Sequence, residues 1–132
     1  KRSVPKAYNV NTNEDKSLLN IMGFEVSKKD GYAIIRTNES NLDAHTVPQL
    51  NSELVILSGQ QTKNMILDLT ECDYCDAAGL SALMIAHRLC KEGKLILCGL
   101  TPGVERMISI QRFDPPLIIV ADLVEAESRM EK

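Results

Sequence analysis

Met65-Ile66-Leu67-Asp68-Leu69, followed by Asp76-Ala77-Ala78-Gly79-Leu80, is a short continuous apolar run leading into the first turn of an apolar helix. A run of that length and character is the kind of strand that is buried on both faces of a parallel sheet. A helix that starts at Asp76 presents the N–H groups of its first turn, with the positive end of its dipole, at one surface spot. Such a spot suits an anion or a phosphorylated side chain. Positions 77 and 78 nevertheless carry only methyl groups, so this copy has no hydroxyl at that turn.

Downstream, Leu80, Leu83, His87 and Cys90 share one helical stripe with Ala82, Ala86 and Leu89 beside it, which predicts a helix to about Lys91 and a stop at Gly93. Leu95-Ile96-Leu97-Cys98 is a second buried strand. Thr101-Pro102 reads as a cap followed by proline, opening a helix with Val104, Met107 and Ile108 inward. Pro115-Pro116 breaks the chain before a strand over Leu117–Val120, and Asp122 caps a last helix. Glu125, Glu127, Arg129, Glu131 and Lys132 read as its solvated face.

Upstream, Phe24-Glu25-Val26 alternates as a strand, Lys29-Asp30-Gly31 carries the Asp-Gly signal of a tight hairpin, and Tyr32–Arg36 is the return strand. Thr37 to Asn41 is a polar loop. Thr46, with Pro48 and Gln49, predicts a capping box; Val47, Leu50, Leu54 and Leu57 form the apolar stripe of the helix it opens, and Gly59 ends it. A hairpin followed by helix–strand alternation predicts a single α/β domain with a mixed, largely parallel sheet packed with about four helices. The domain is expected over residues 23–132. Residues 1–22 are polar and are expected to form a flexible tail as far as Ser17, with Leu18, Leu19, Ile21 and Met22 docking on the domain.

The 132 residues are enough for a proper core, and tryptophan is absent. A net charge of -3 leaves no basic surplus for nucleic-acid binding. No run approaches the ~20 apolar residues of a membrane span. Residues 1–22 lack the apolar core of a secretory signal, so Cys72, Cys75, Cys90 and Cys98 are expected to be reduced and buried, in a cytoplasmic protein.

Taken in order, Asp30–Ile35, Leu42-Asp43-Ala44, Val47–Leu50, Ile66–Thr70, Asp76–Leu80 and Cys98–Pro102 resemble a STAS domain, the fold of bacterial anti-sigma factor antagonists. The resemblance runs from about Phe24 to Met130. It implies that the residue after Asp76 is where the antagonists carry a serine or threonine. A partner anti-sigma factor, itself a kinase, phosphorylates that residue, and the phosphate blocks docking. Here Ala77 occupies that phosphoacceptor position. The implied reading is a non-enzymatic, protein-binding regulatory module with no cofactor and without the phosphorylation switch, engaging its partner constitutively. An alternative reading is the small STAS subunit of a lipid-transport ABC complex, whose partner is the transporter ATPase and whose motif also often reads Asp-x-Ala-Gly-Leu. A weaker third is a nucleotide-binding STAS domain, for which no phosphate-cradling loop is present.

The expected partner-binding residues are Asp76, Ala77, Ala78, Gly79 and Leu80, with Asp43 and His45 in a loop that borders the same surface in this fold. Each has a plainer reading: Asp76 as an N-cap, the small residues as a helix start against a neighbouring helix, His45 as a solvated loop residue. Ser81, the nearest hydroxyl, is expected to be poorly accessible. Cys72-x-x-Cys75 and His87-x-x-Cys90 have a zinc-like spacing, but the helical stripe already accounts for His87 and Cys90, and core burial is the expectation for the cysteines. No Gly-rich phosphate loop, meaningful Ser–His pair or carboxylate dyad appears, so no catalytic residue is assigned.

Overall fold

Six strands, β1 (Leu19–Ile21), β2 (Phe24–Lys29), β3 (Tyr32–Thr37), β5 (Met65–Asp68), β7 (Leu95–Cys98) and β8 (Ile118–Val120), lie side by side in that order in one sheet, in a computed structural model that describes residues 19–21 and 23–131. β2 (Phe24–Lys29) and β3 (Tyr32–Thr37) pair antiparallel, with Lys29 opposite Tyr32. Asp30 and Gly31 therefore make the two-residue turn, and Gly31 supplies its left-handed backbone at φ 95°. β5 (Met65–Asp68), β7 (Leu95–Cys98) and β8 (Ile118–Val120) then add in parallel, from β3 outward. The helices are α1 (Val47–Gly59), α2 (Ala77–Leu89), α3 (Pro102–Ile108) and α4 (Leu123–Met130). The mixed, mostly parallel sheet with four helices is the architecture the hydrophobic pattern predicts.

All four residues of β5 and of β7 are buried, as expected for strands covered on both faces. Alternation divides them. Ile35, Met65, Leu67, Leu95 and Leu97 join the large cluster with Leu50, Leu54 and Leu57 of α1, Leu83 and Ala86 of α2, and Val104 and Ile108 of α3. Ile34, Ile66, Ile96 and Cys98 meet Ala126, Leu123 and Met130 of α4 on the other side. Truncating a side chain as enclosed as Leu83, at 0 % exposure, to alanine costs about 2–5 kcal/mol.

Several local expectations change. In the stretch beyond Ser17, expected to dock on the domain, the backbone of Leu19–Ile21 takes a more regular form and pairs antiparallel with β2 as β1, Leu19 opposite Val26. Residues 1–18, Met22 and the docking of the apolar side chains there lie outside the described residues. The loop after β3 ends early: Asn41–Leu42 forms β4, which pairs in parallel with β6 (Tyr74–Cys75) in a separate two-stranded sheet. The capping box at α1 is not made. The Thr46 hydroxyl donates to the Asn41 carbonyl at 3.1 Å and accepts from the Asp43 N–H, so it is already engaged. Asp43 Oδ1 organises the turn instead, accepting from the N–H groups of His45 and Thr46. Gly59 lies within α1, and the left-handed residue beyond it is Gln61, at φ 66°. The Thr101 side chain does not cap α3; its hydroxyl donates to the Cys72 carbonyl at 2.8 Å. The last helix is not solvated along its whole polar face, because the Tyr32 hydroxyl donates to Glu127 Oε1 at 2.7 Å, with Glu131 Oε2 at 3.4 Å.

Candidate functional site

The path from β5 to α2 is fixed at each step by a named bond. Asp68, 3 % exposed, accepts from the Thr70 N–H and, at 2.6 Å, from the Thr70 hydroxyl, with Arg36 Nε at 3.3 Å. A buried carboxylate needs such partners. Leu69 and Cys72, at 1 % and 0 % exposure, pull the following turn inward. The N–H groups of Asp73 and Tyr74 both donate to the Ser40 carbonyl, and β6 then runs beside β4 until the Asp76 N–H donates to the Leu42 carbonyl at 3.2 Å.

At Asp76 the backbone is extended, and the side chain turns back so that Oδ1 accepts from the Gly79 N–H at 3.1 Å. This is the N-cap of the plainer reading, and it places a carboxylate against the positive end of α2. The helix start thus holds its own negative group. Ala77 is exposed, and Ala78 is half-buried against the large core. Gly79 is buried because a Cβ there would collide with the Leu42 carbonyl oxygen and lie 2.7 Å from Cys75 Sγ. Leu80, 8 % exposed, points inward. Of the five motif residues, Asp76 and Ala77 reach the surface, while Gly79 and Leu80 shape the turn from within.

The same contact brings Asp43 and His45 to this place. Leu42 touches the α2 turn through its carbonyl, and the next three residues form the Asx turn, with Asp43 half-buried and His45 exposed. Two segments, one at Asp43–His45 and the other at Asp76–Ala77, thus border one surface. Exposed groups of the same two segments include Ser40, Asn41, Ala44, Glu71, Asp73 and Tyr74, the tyrosine 51 % exposed. Tyr74 and Ser40 add to the residues expected here. A lone aromatic residue in a polar loop was the available signal for Tyr74, and nothing marks a backbone carbonyl. Ser81 is also exposed, contrary to the expected inaccessibility.

The four cysteines are free and buried. Burial pushes the Cys75 thiol up to about 12, with Cys72 and Asp76 adding to the effect; burial likewise raises Cys72. Both thiols donate to backbone carbonyls, Cys72 to Tyr74 and Cys75 to Asp76. His87 is committed elsewhere: Nε2 is 2.8 Å from the Pro115 carbonyl, and its ring meets Phe113 edge-on at 5.3 Å. Among the described residues, no group of three or more His, Cys, Asp or Glu could hold a metal ion, and no helix is long and apolar enough to cross a membrane.

The family model of the STAS domain matches residues 23–126, and the chain belongs to that family. It is 28% identical over 94 residues to BtrV of Bordetella bronchiseptica, assigned as an anti-sigma factor antagonist, covering 70% of this chain and 80% of that protein. Among solved structures, an anti-sigma factor antagonist from Mycobacterium paratuberculosis superimposes with a TM-score of 0.73 at 19% identity, over 83% of this chain and 93% of that one. The anti-sigma factor antagonist SpoIIAA in its unphosphorylated form gives 0.67 at 20% identity, over 82% and 97%. These likenesses are to the fold, which is the one described above.

Proposed function

From its membership of the STAS domain family, we propose that this chain is a non-enzymatic, cytoplasmic protein-binding module. It acts as an anti-sigma factor antagonist that lacks the phosphorylation switch. Its partner is a kinase-like anti-sigma factor, docked on the surface formed by Asp76, Ala77 and the Asp43–His45 turn. The likeness to BtrV supports the choice of partner class. The observation that carries the rest is the exposed methyl of Ala77 at the first turn of α2, beside a cap that Asp76 closes on Gly79. A methyl group accepts no phosphate, so no added charge of about -2 can repel a partner there. Control then comes from abundance or from competing antagonists.

Tagged protein and its Ala77→Glu variant, used as baits in lysate of the native cell, provide the test. Recovery of an anti-sigma factor by the parent chain, and its loss with Ala77→Glu, is the expected result. Undiminished recovery with the variant refutes the placement of the surface. Recovery of an ABC ATPase with its permease instead moves the chain to transport and makes Ala77 a small contact residue. Ala77→Ser adds a covalent readout, because an anti-sigma kinase should label that variant and leave the parent unlabelled.

A further inference from the structure

The cations of this domain divide into those with partners and those without. Lys28 reaches Gln60 and Thr62, Lys63 pairs with Glu92, Lys94 donates to the Arg129 carbonyl, and Arg36 and Arg129 pair with Asp68 and Glu125. Of those without, Lys29 and Arg106 lie elsewhere; Arg88, Lys91 and Arg112 are exposed, and their side chains have neither a carboxylate nor a hydrogen-bond partner among the described residues. All three line one groove of roughly 330 Å³ between the C-terminal half of α2 and the loop that follows α3. Among the described residues, Asp114 is the only acid lining it. Its floor includes Met84 and Phe113, both half-buried.

Arg88 and Lys91 lie at the end of α2, where cations complement the helix dipole. The dipole does not account for Arg112, which comes from a different segment. That segment is held against α2 by the bond from His87 to Pro115 and by the edge-on contact of His87 with Phe113. The groove also continues the surface at the start of the same helix: Ala77, Ser81 and Arg88 are exposed, with Met84 and Ile85 half-exposed between them. Spacings of four, three and four residues keep that stripe on one side of a helix.

We propose that this groove is a second docking site, which takes an acidic peptide segment of a protein partner with an apolar side chain set among its carboxylates. Three exposed, unpaired cations around an apolar floor fit an extended anionic chain; the apolar side chain covers Met84 and Phe113 while the carboxylates meet the rim. Exposed charges of this kind steer association and are screened by salt. The inference does not depend on which protein covers Ala77.

The experiment titrates the full 15N-labelled chain with a synthetic heptapeptide of Glu and Asp around a central leucine, followed by amide chemical shifts. Shifts confined to residues 84–91 and 112–114 are expected, with affinity falling about tenfold between low and high salt and by about as much in Arg88→Glu/Lys91→Glu. Ala77→Glu should bind the peptide unchanged, which separates this site from the one proposed above. Equal shifts with the Gln/Asn form of the peptide, saturation by inorganic phosphate alone, shifts centred on Lys28 and Lys63, or no shifts at all would each overturn the proposal. Amide shifts of the double variant that match the parent's outside the groove confirm that the lost affinity is not lost structure.

Discussion

Replacing Gly79 by alanine adds one methyl group where α2 meets β4. In the interior of a helix this change ordinarily stabilises by about 1 kcal/mol, because glycine loses more backbone freedom on folding. Here the new Cβ would collide with the Leu42 carbonyl oxygen and sit 2.7 Å from Cys75 Sγ. The carbonyl cannot simply swing away, since it accepts from the Asp76 N–H and belongs to the strand paired with β6. Overpacking of this kind costs about 1–3 kcal/mol, which exceeds the helix gain over most of its range. Because the obstacle is backbone held in place by a hydrogen bond, the cost falls in the upper part of that range, about 2–3 kcal/mol, and the net loss of about 1–2 kcal/mol should lower the thermal midpoint by about 4–8 °C for a domain of this size. Circular dichroism melts measure it. Gly59→Ala is the matched control: that glycine is also helical, and an added methyl there would meet nothing within 4 Å, so its midpoint should rise. Amide shifts of Asp43 and Thr46 should move in Gly79→Ala and stay fixed in Gly59→Ala. A Gly79→Ala midpoint at or above the parent value would refute the close approach of helix and strand.

Three further predictions concern Tyr32 and the buried thiols. Tyr32→Phe removes the donor that Glu127 and Glu131 share, and should cost about 1–2 kcal/mol, at the lower end for bonds to charged groups because Glu127 is half-exposed; faster amide exchange along α4 than along α2 is the local signature. Burial holds the thiols of Cys75 and Cys98 up to about 12 and Cys90 up to about 11, against an ordinary 9.0. These groups stay protonated in the folded state while the unfolded chain releases their protons, so their stabilising effect is complete below pH 9 and is lost as pH rises towards 11–12. Each contributes a slope of up to about 1.4 kcal/mol per pH unit in that window. Melts from pH 8 to 10.5 should show the decline, and Cys98→Ala should flatten it; a midpoint independent of pH would contradict the burial. At pH 8 the native thiols should react with Ellman's reagent only as fast as the chain opens.

The long-range plan was legible because each element carries its own pattern. Asp30-Gly31 marks the hairpin, the Val47–Leu57 and Leu80–Cys90 stripes mark two helices, and Asp76 and Asp122 mark helix starts that their side chains do cap. What escaped is short or depends on a distant partner. β4 and β6 have two residues each, below the length at which alternation exists, and form only because each finds the other. Thr46 has the right neighbours for a capping box, but the Asn41 carbonyl engages its hydroxyl first. Glu127 and Glu131 look solvated until Tyr32, 95 residues earlier in the chain than Glu127, is brought beneath them. At the candidate site the motif itself could be read, while the burial of Gly79 and Leu80, and the exposure of Tyr74 and Ser81, follow from the packing of α2 on β4 and the core.

The pairing of β4 with β6 makes the surface around Ala77 a discontinuous epitope. Its two halves are joined through Ser40, Leu42 and Asp76 chiefly by backbone bonds, whose donors and acceptors do not depend on the side chains of either strand. Excised as a linear peptide, residues 71–85 would lack both the carbonyls that hold the loop and the turn at Asp43. Any partner that reads this surface therefore also senses whether the two strands are closed, and discriminates folded chains from nicked or partly opened ones without a separate device.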